Sequence, residues 1–271
     1  MTRLVKKMPT PLGIGAGQTA SVNMPLGLTY ERLYIRCNAD IAATPTDLTA
    51  ADWASVIGEI RVMVNGDARI TIDAADLVKL NSFYGEAPKA GVLPIFFSRP
   101  WMRTIGGEDA SGYGTVGMAT FTLEMDIKDG ATVNSLTVTA VQSPATPWGP
   151  HLRIQKFNRN QGVTGSAEIA DIPRGAYAML AMHVATDQIG DVEVQTDQRN
   201  VITMDKAVRA THYDLAGRVP QAGFTHIDFT PENRLSEALS MSLQDFRLKL
   251  DFQATGNFAI YAESLMAPPA S

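Results

Sequence analysis

The segment IGEIRVMVNGDARITID, residues 57–73, returns as IGDVEVQTDQRNVITMD at residues 189–205. A tandem repeat constrains the fold before any motif does, because two copies of one unit must build two similar lobes. Aligning Ile57 with Ile189 sets an offset of 132 that runs without a gap from Ile57 to Phe97 and from Ile189 to Phe229, with about a third of the pairs identical. The matches include Gly58/Gly190, Val62/Val194, Ile70/Ile202, Asp73/Asp205, Gly85/Gly217, Pro88/Pro220 and Phe97/Phe229. These are backbone-shaping and core types, so the copies share architecture rather than chemistry. GQTASVNMPLG (17–27) matches GSAEIADIPRG (165–175) at an offset of 148, FTLEMDI (121–127) matches FRLKLDF (246–252) at 125, and SLTVTAV (135–141) matches NFAIYAE (257–263) at 122. The first copy carries two insertions. One is ATPTDLTAADWAS, where Asp47, Thr49 and Asp52 flank a short helical turn; the other is 7 residues in the glycine-rich stretch IGGEDASGYGTVG. The expected organisation is an N-terminal lobe over 1–142, a linker SPATPWGP over 143–150 and a C-terminal lobe over 151–271.

Within a copy the dominant period is two. Ile60, Val62 and Val64 alternate with Arg61, Met63 and Asn65, as a half-buried strand requires. Asn65-Gly66 supplies the positive φ angles of a tight hairpin. The pattern breaks once per copy, at DAADLVKLNSFYG (73–85) and DKAVRATHYDLAG (205–217). Asp73 and Asp205 are expected N-caps, and Gly85 and Gly217 expected left-handed C′ residues, of one three-turn helix per copy. About eight short strands, one helix and long loops per copy suit a jelly roll. The expected fold is therefore all-β, a double jelly roll of two tandem eight-stranded sandwiches. An immunoglobulin-type sandwich is the competitor, disfavoured by the inserted helix and the single cysteine.

With 45% apolar and 19% charged residues the chain can build a core, and its formal net charge of -5 argues against a general nucleic-acid binder. Cys37 is the one cysteine, which removes internal disulfides and thiolate clusters and is expected as a buried strand residue. No run approaches the roughly 18 apolar residues of a spanning helix, and MTRLVKKMPTPLG lacks a secretory core, so synthesis in the cytoplasm is expected. Arg3, Lys6 and Lys7 make the start basic and are the candidate membrane-facing residues.

Catalytic constellations are not found. His151, His183, His212 and His226 never form H-x-H or H-E-x-x-H; no G-x-S-x-G elbow appears; GIGAGQ lacks a phosphate-reaching lysine. His183, in AMLAMHVAT, reads as a core or sheet-face residue and His212 as a helix-surface one. Trp53, Trp101 and Trp148 fall in expected loops, where they suit subunit contacts or, in a carbohydrate- or receptor-binding sandwich module, sugar stacking. A jelly-roll hydrolase is the remaining alternative.

The opening VKKMPTPLGIGAGQTASVNMPLGLTYERLYIRC combines a basic first strand, a small-residue turn, GQTASVNMPLG and the aromatic strand TYERLYI. In this the chain resembles the major capsid proteins of tailless, membrane-containing bacteriophages, most closely the corticovirus type. The resemblance implies a structural protein without catalysis or organic cofactor. Three such chains would form a pseudo-hexagonal capsomer of an icosahedral shell over an internal membrane, beside spike or penton and minor membrane proteins, with a free phage or a prophage as source. It also implies structural calcium, but no EF-hand-like spacing occurs; Glu108 and Asp109, or Asp126 and Asp129, could serve as ligands yet read better as solvated loop or strand-end charges, and no metal site is assigned.

Overall fold

In the computed structural model, residues 3–89, 91–103, 106, 109 and 111–267 are described. The chain runs β1 (Leu4–Lys7), β2 (Thr19–Asn23), β3 (Thr29–Ile41), β4 (Thr44–Asp47), α1 (Trp53–Val56), β5 (Ile57–Val64), β6 (Asp67–Asp73), α2 (Ala74–Phe83), β7 (Val92–Phe96), β8 (Tyr113–Gly114), β9 (Phe121–Ile127) and β10 (Val133–Ser143). It continues β11 (His151–Gln161), β12 (Gly165–Ile169), β13 (Tyr177–Val184), β14 (Ile189–Thr196), β15 (Arg199–Met204), α3 (Lys206–Leu215), β16 (Thr225–Asp228), a 3-10 turn at Leu235–Glu237, β17 (Leu239–Ser240), β18 (Phe246–Phe252) and β19 (Gly256–Met266). The expected eight strands per lobe become ten and nine among the described residues, because the short β8 and β17 continue the edges begun by β7 and β16 and an extra strand, β4, pairs with the long β3.

The repeat survives down to its irregularities. β5 pairs β6 with Ile60 opposite Ile72 and a register shift after Val62; β14 pairs β15 with Val192 opposite Met204 and the same shift after Val194. The cross-strand pair Arg61–Glu124 (3.2 Å) reappears with its charges exchanged as Lys249–Glu193 (3.3 Å), so the pairing recurs although the residues do not. One alignment needs correction. Ala20 faces Met125 and Ala167 faces Leu250, which places β12 147 positions after β2, not 148. The Gly/Pro punctuation had registered the loops, and a one-residue slip in a strand exchanges its two faces.

Each lobe is a sandwich. In lobe one, β1, β10 and β3 with the β4/β7/β8 edge face β6-β5-β9-β2; in lobe two, β11, β19 and β13 with the β16/β17 edge face β12-β18-β14-β15. Inward positions alternate cleanly: Phe121, Leu123, Met125 and Ile127 are buried on β9, as are Phe246, Leu248, Leu250 and Phe252 on β18. Cys37 lies fully buried on β3, and burial is the main reason its thiol is pushed up to about 12. The second sheet of lobe one is not closed at its edge. β6 runs parallel to β11 with Ile70 opposite Ile154, joining it to the first sheet of lobe two as one nine-stranded sheet.

Both helices form where expected, and Gly85 (φ 81°) and Gly217 (φ 75°) take the left-handed position after them. The caps differ. Asp205 accepts a hydrogen bond from Val208 N at 2.8 Å, whereas Asp73 occupies the cap position of α2 without capping. Its carboxylate is held by Lys156 from lobe two, which overrides the local bond. Asp205→Ala is therefore expected to cost about 1 kcal/mol of unfolding free energy in a denaturant titration, and Asp205→Ser, which keeps a capping oxygen, only a few tenths. Equal losses from both would show that the cap contributes nothing. A second correction concerns Trp53, which lies in α1 and is fully buried rather than in an open loop.

Candidate functional site

The seam between the lobes gathers most of the buried charged and histidine side chains among the described residues. It forms because β6 ends lobe one's second sheet with an apolar edge, Ile70 and Ile72, and β11 opens lobe two with Leu152 and Ile154, all four buried. Burying Leu152 and Ile154 stabilises the seam by roughly 1.5–3 kcal/mol each. Tyr113, stacked on Phe97 at 4.2 Å, donates its hydroxyl to Leu152 O across the boundary.

At one end of the seam, the Lys156 ammonium bonds both Asp73 oxygens at 2.8 Å and approaches Glu59 at 3.3 Å. The single Tyr261 hydroxyl hydrogen is shared between Asp73 at 3.0 Å and Asp76 at 2.5 Å. Burial disfavours the charged form of Lys156, but Asp73 more than reverses this, so its pKa is raised; burial likewise pushes the Asp76 carboxyl up against the pull of the Tyr261 hydroxyl.

The centre is sealed from solvent. α2 ends in Phe83-Tyr84, and these two rings plug into lobe two: Phe83 stacks on His226 at 4.0 Å, and its carbonyl accepts from Val219 N at 2.9 Å. Tyr84 donates to Glu263 at 2.7 Å, and Arg99 reaches the same oxygen at 2.5 Å. The Arg99 guanidinium lies over Tyr84 (4.9 Å) and Trp101 (5.4 Å). Burial alone would raise the Glu263 pKa, but Arg99 and then His183 hold it far below the usual carboxylate range. His183 and His226 meet Nδ1 to Nδ1 at 2.7 Å, and His226 Nε2 accepts from Gln221 N at 3.3 Å. That bond requires His226 to carry its proton on Nδ1 and to donate it to His183, whose Nε2 lies 3.7 Å from Glu263. Beside them Arg218 pairs with Asp228 at 2.7 Å. At the other end, buried His151 bonds Gly149 O at 3.2 Å and stacks on Trp148 at 4.0 Å; burial lowers its pKa to about 4.

The residues singled out in the sequence are scattered around this seam. Arg3, Lys6 and Lys7 are exposed on or beside β1, and Arg3 pairs with Asp109 at 2.6 Å. Asp126 is bound to Arg61 at 2.7 Å and accepts from Thr19 at 2.8 Å; Asp129 is exposed on a turn. Glu108 lies outside the described residues. Among the described residues no group of three or more His, Cys, Asp or Glu side chains could hold an ion, and Asp109 and Asp126 are each paired with an arginine. No helix is long and apolar enough to cross a membrane among the described residues. Trp101 stacks on Tyr84 and Trp148 on His151, so one face of each ring is already covered. His212 is on the surface of α3, as read; His183 is buried, as read, but within a charged network that sequence reasoning missed. The missed members, Arg99 in FFSRPW and Glu263 in AIYAESLM, share one signal, a lone charge inside an apolar run.

The comparisons agree with this architecture. The family models for the viral coat protein P2 N-terminal domain and C-terminal domain match residues 5–143 and 151–268. The major capsid protein P2 of Pseudoalteromonas phage PM2 is 29% identical over 252 residues, 88% of this chain and 87% of that protein. The crystal structure of that phage's P2 superposes with a TM-score of 0.89 at 25% identity, covering 100% of this chain and 99% of that one. The STIV MCP (TM-score 0.73, 11% identity, 99% and 98% covered) and the PBCV-1 capsid protein (0.62, 10%, 98% and 94%) share the fold. A sealed seam with two lobes of one topology, matched end to end by both domain models, leads to one conclusion: the chain belongs to the viral coat protein P2 family, and is a structural double jelly-roll protein of the virion capsid rather than an enzyme.

Proposed function

We propose that three copies close into a pseudo-hexameric capsomer, and that such capsomers tile an icosahedral shell over an internal membrane, alongside spike and minor membrane proteins. Each chain contributes an N-terminal lobe (1–142), a linker (143–150) and a C-terminal lobe (151–271). The observation that carries this reading is the single parallel contact of β6 with β11, which sets two equivalent lobes edge to edge. Repeated between chains, a head-to-tail contact of that kind generates a ring of six similar lobes from three subunits. The peripheral membrane contact falls to the basic start. Arg3 is already paired with Asp109, which leaves the exposed Lys6 and Lys7, on opposite faces of β1, to supply it. One lysine contributes only about 1 kcal/mol at an anionic surface, which makes that contact salt-sensitive.

Light scattering on the purified protein is expected to give three times 29.2 kDa, 87.6 kDa, with or without calcium. A monomer under both conditions would remove the capsomer reading. A trimer present only with calcium would make the ion a structural part of the capsomer.

A further inference from the structure

Resting on the capsomer reading, we propose that the edge of lobe two formed by β15 and α3 is the docking surface for β1 of a second copy, in the register that β6, α2 and β11 use within one chain. Three sets of observations converge on it.

The first is strand equivalence. Val5 faces Val141 on β10, and Ile154 faces Glu263 on β19; since β10 and β19 are related by 122 positions, Val5 occupies the place of Ile154. Ile202 is the counterpart of Ile70 at the offset of 132, and both pair with the equivalent neighbouring strand, opposite Val194 and Val62. The contact Ile154–Ile70 within the chain therefore has an unformed twin, Val5 of one copy beside Ile202 of the next.

The second is charge. Lys7 faces Thr139 as Lys156 faces Tyr261, so Lys7 is the counterpart of Lys156. Lys156 is held by Asp73 and Glu59, whose counterparts 132 positions on are Asp205 and Asp191. Lys7, Asp191 and Asp205 are all exposed, and none of them has an ion-pair partner among the described residues. The acidic pair waits at one edge of the molecule and the ammonium at the other.

The third is exposed apolar surface. Val5 is 69% exposed on β1, and at the opposite edge Val201 is 47%, Val208 52% and Leu215 83% exposed. Leu215 is the counterpart of Phe83, the ring that plugs lobe one into His183 and His226. The plug's seat in lobe one is made by Tyr34, which takes the place of His183 by strand register. Between β15, α3 and the β16/β17 edge lies an open groove of about 370 Å³, whose lining includes Val201, Ile202, Met204, His212, Phe229 and Glu237. In lobe one the corresponding space is filled by Leu152 and Ile154. Unpaired strand edges and bare apolar helix faces are features that soluble chains normally cover, and a second copy of this chain carries the matching charge, strand direction and side chains. The contact is heterologous, so one interface used three times closes the ring.

The test is a register-specific cross-link. In Val5→Cys/Ile202→Cys, oxidation is expected to produce covalent dimers and trimers on a non-reducing denaturing gel, because neighbouring strand residues place Cα atoms within disulfide range. Cys37 is fully buried and stays out of the reaction. Val163→Cys/Ile202→Cys, with Val163 on an unrelated loop, should stay monomeric on that gel. Lys7→Glu is expected to weaken trimerisation at least tenfold in light scattering, and Lys7→Glu/Asp191→Lys to recover most of it. A native trimer that neither cross-links nor responds to Lys7→Glu overturns this docking surface and leaves the capsomer reading standing; a native monomer overturns both.

Discussion

Glu263→Leu should lower the unfolding free energy by about 3–5 kcal/mol, the largest effect expected of any single substitution in this chain. Glu263 and Arg99 are 3% and 2% exposed and belong to different lobes, and their contact is 2.5 Å. Removing the carboxylate strands a guanidinium that two aromatic rings cover but that no other anion reaches among the described residues. It also takes the acceptor from the Tyr84 hydroxyl. The cost comes from the orphaned partner rather than from the strength of the pair, so Arg99→Met/Glu263→Leu is expected to recover most of the loss in the same urea titration. A double variant as unstable as the single one would mean that His183 and Tyr84, not Arg99, are what Glu263 serves. A single variant within 1 kcal/mol of the native protein would mean that the seam tolerates water.

The lobes were legible in the sequence because their determinants are local. Period-two burial on β5, β9 and β18, the Asn65-Gly66 hairpin with φ of 52° and 85°, and the glycines behind α2 and α3 follow from residues within a few positions of one another. The seam was not legible for the converse reason. Asp73 reads as a helix cap until Lys156, 83 positions away, claims it; His226 reads as an isolated histidine until β13 sets His183 beside it. The copies also diverge most where they touch. Phe83-Tyr84 and Leu215-Ala216 occupy equivalent places, yet the first pair is buried in the partner lobe while Leu215 lies bare. Sequence alignment scores that as a mismatch; physically it marks one plug already seated and one still open. The β2 offset failed differently, since glycine and proline mark where loops turn and a strand's face depends on a single-residue count.

Acid is expected to loosen the same seam, beginning as the pH falls through about 6.5. His226 is neutral in the fold, its pKa held well below the ordinary value by burial first and by His183 second, and burial lowers His151 to about 4. In the unfolded chain both rings titrate near 6.5, so below that pH the unfolded state binds more protons and stability is lost. The His226 site has no room for a second proton without breaking a bond: Nε2 is occupied by Gln221 N, and His183 Nδ1 is occupied by His226 itself. The groups facing the pair oppose or compensate unequally. Arg209 disfavours charge on His226 and Glu263 favours it, but Glu263 is already paired with Arg99. Phe83 and Phe224 cover the ring's faces and supply no acceptor. His151, with Arg69 and Arg153 nearby, accounts for roughly 2 kcal/mol by pH 5, and His226, lowered first by burial, adds to the loss in the same direction. The His151 share alone corresponds to a fall in Tm of roughly 5 °C between pH 7 and pH 5, and His226 deepens it. His151→Gln/His226→Gln, which cannot take up a proton, should flatten most of that slope even though it lowers Tm at pH 7. An unchanged Tm between pH 7 and pH 5 in the native protein would mean that these rings are wetter than their burial implies. Because Glu263 is held ionised to much lower pH, the Arg99 ion pair should outlast the histidines, so acid weakens the lobe contact in two steps rather than one.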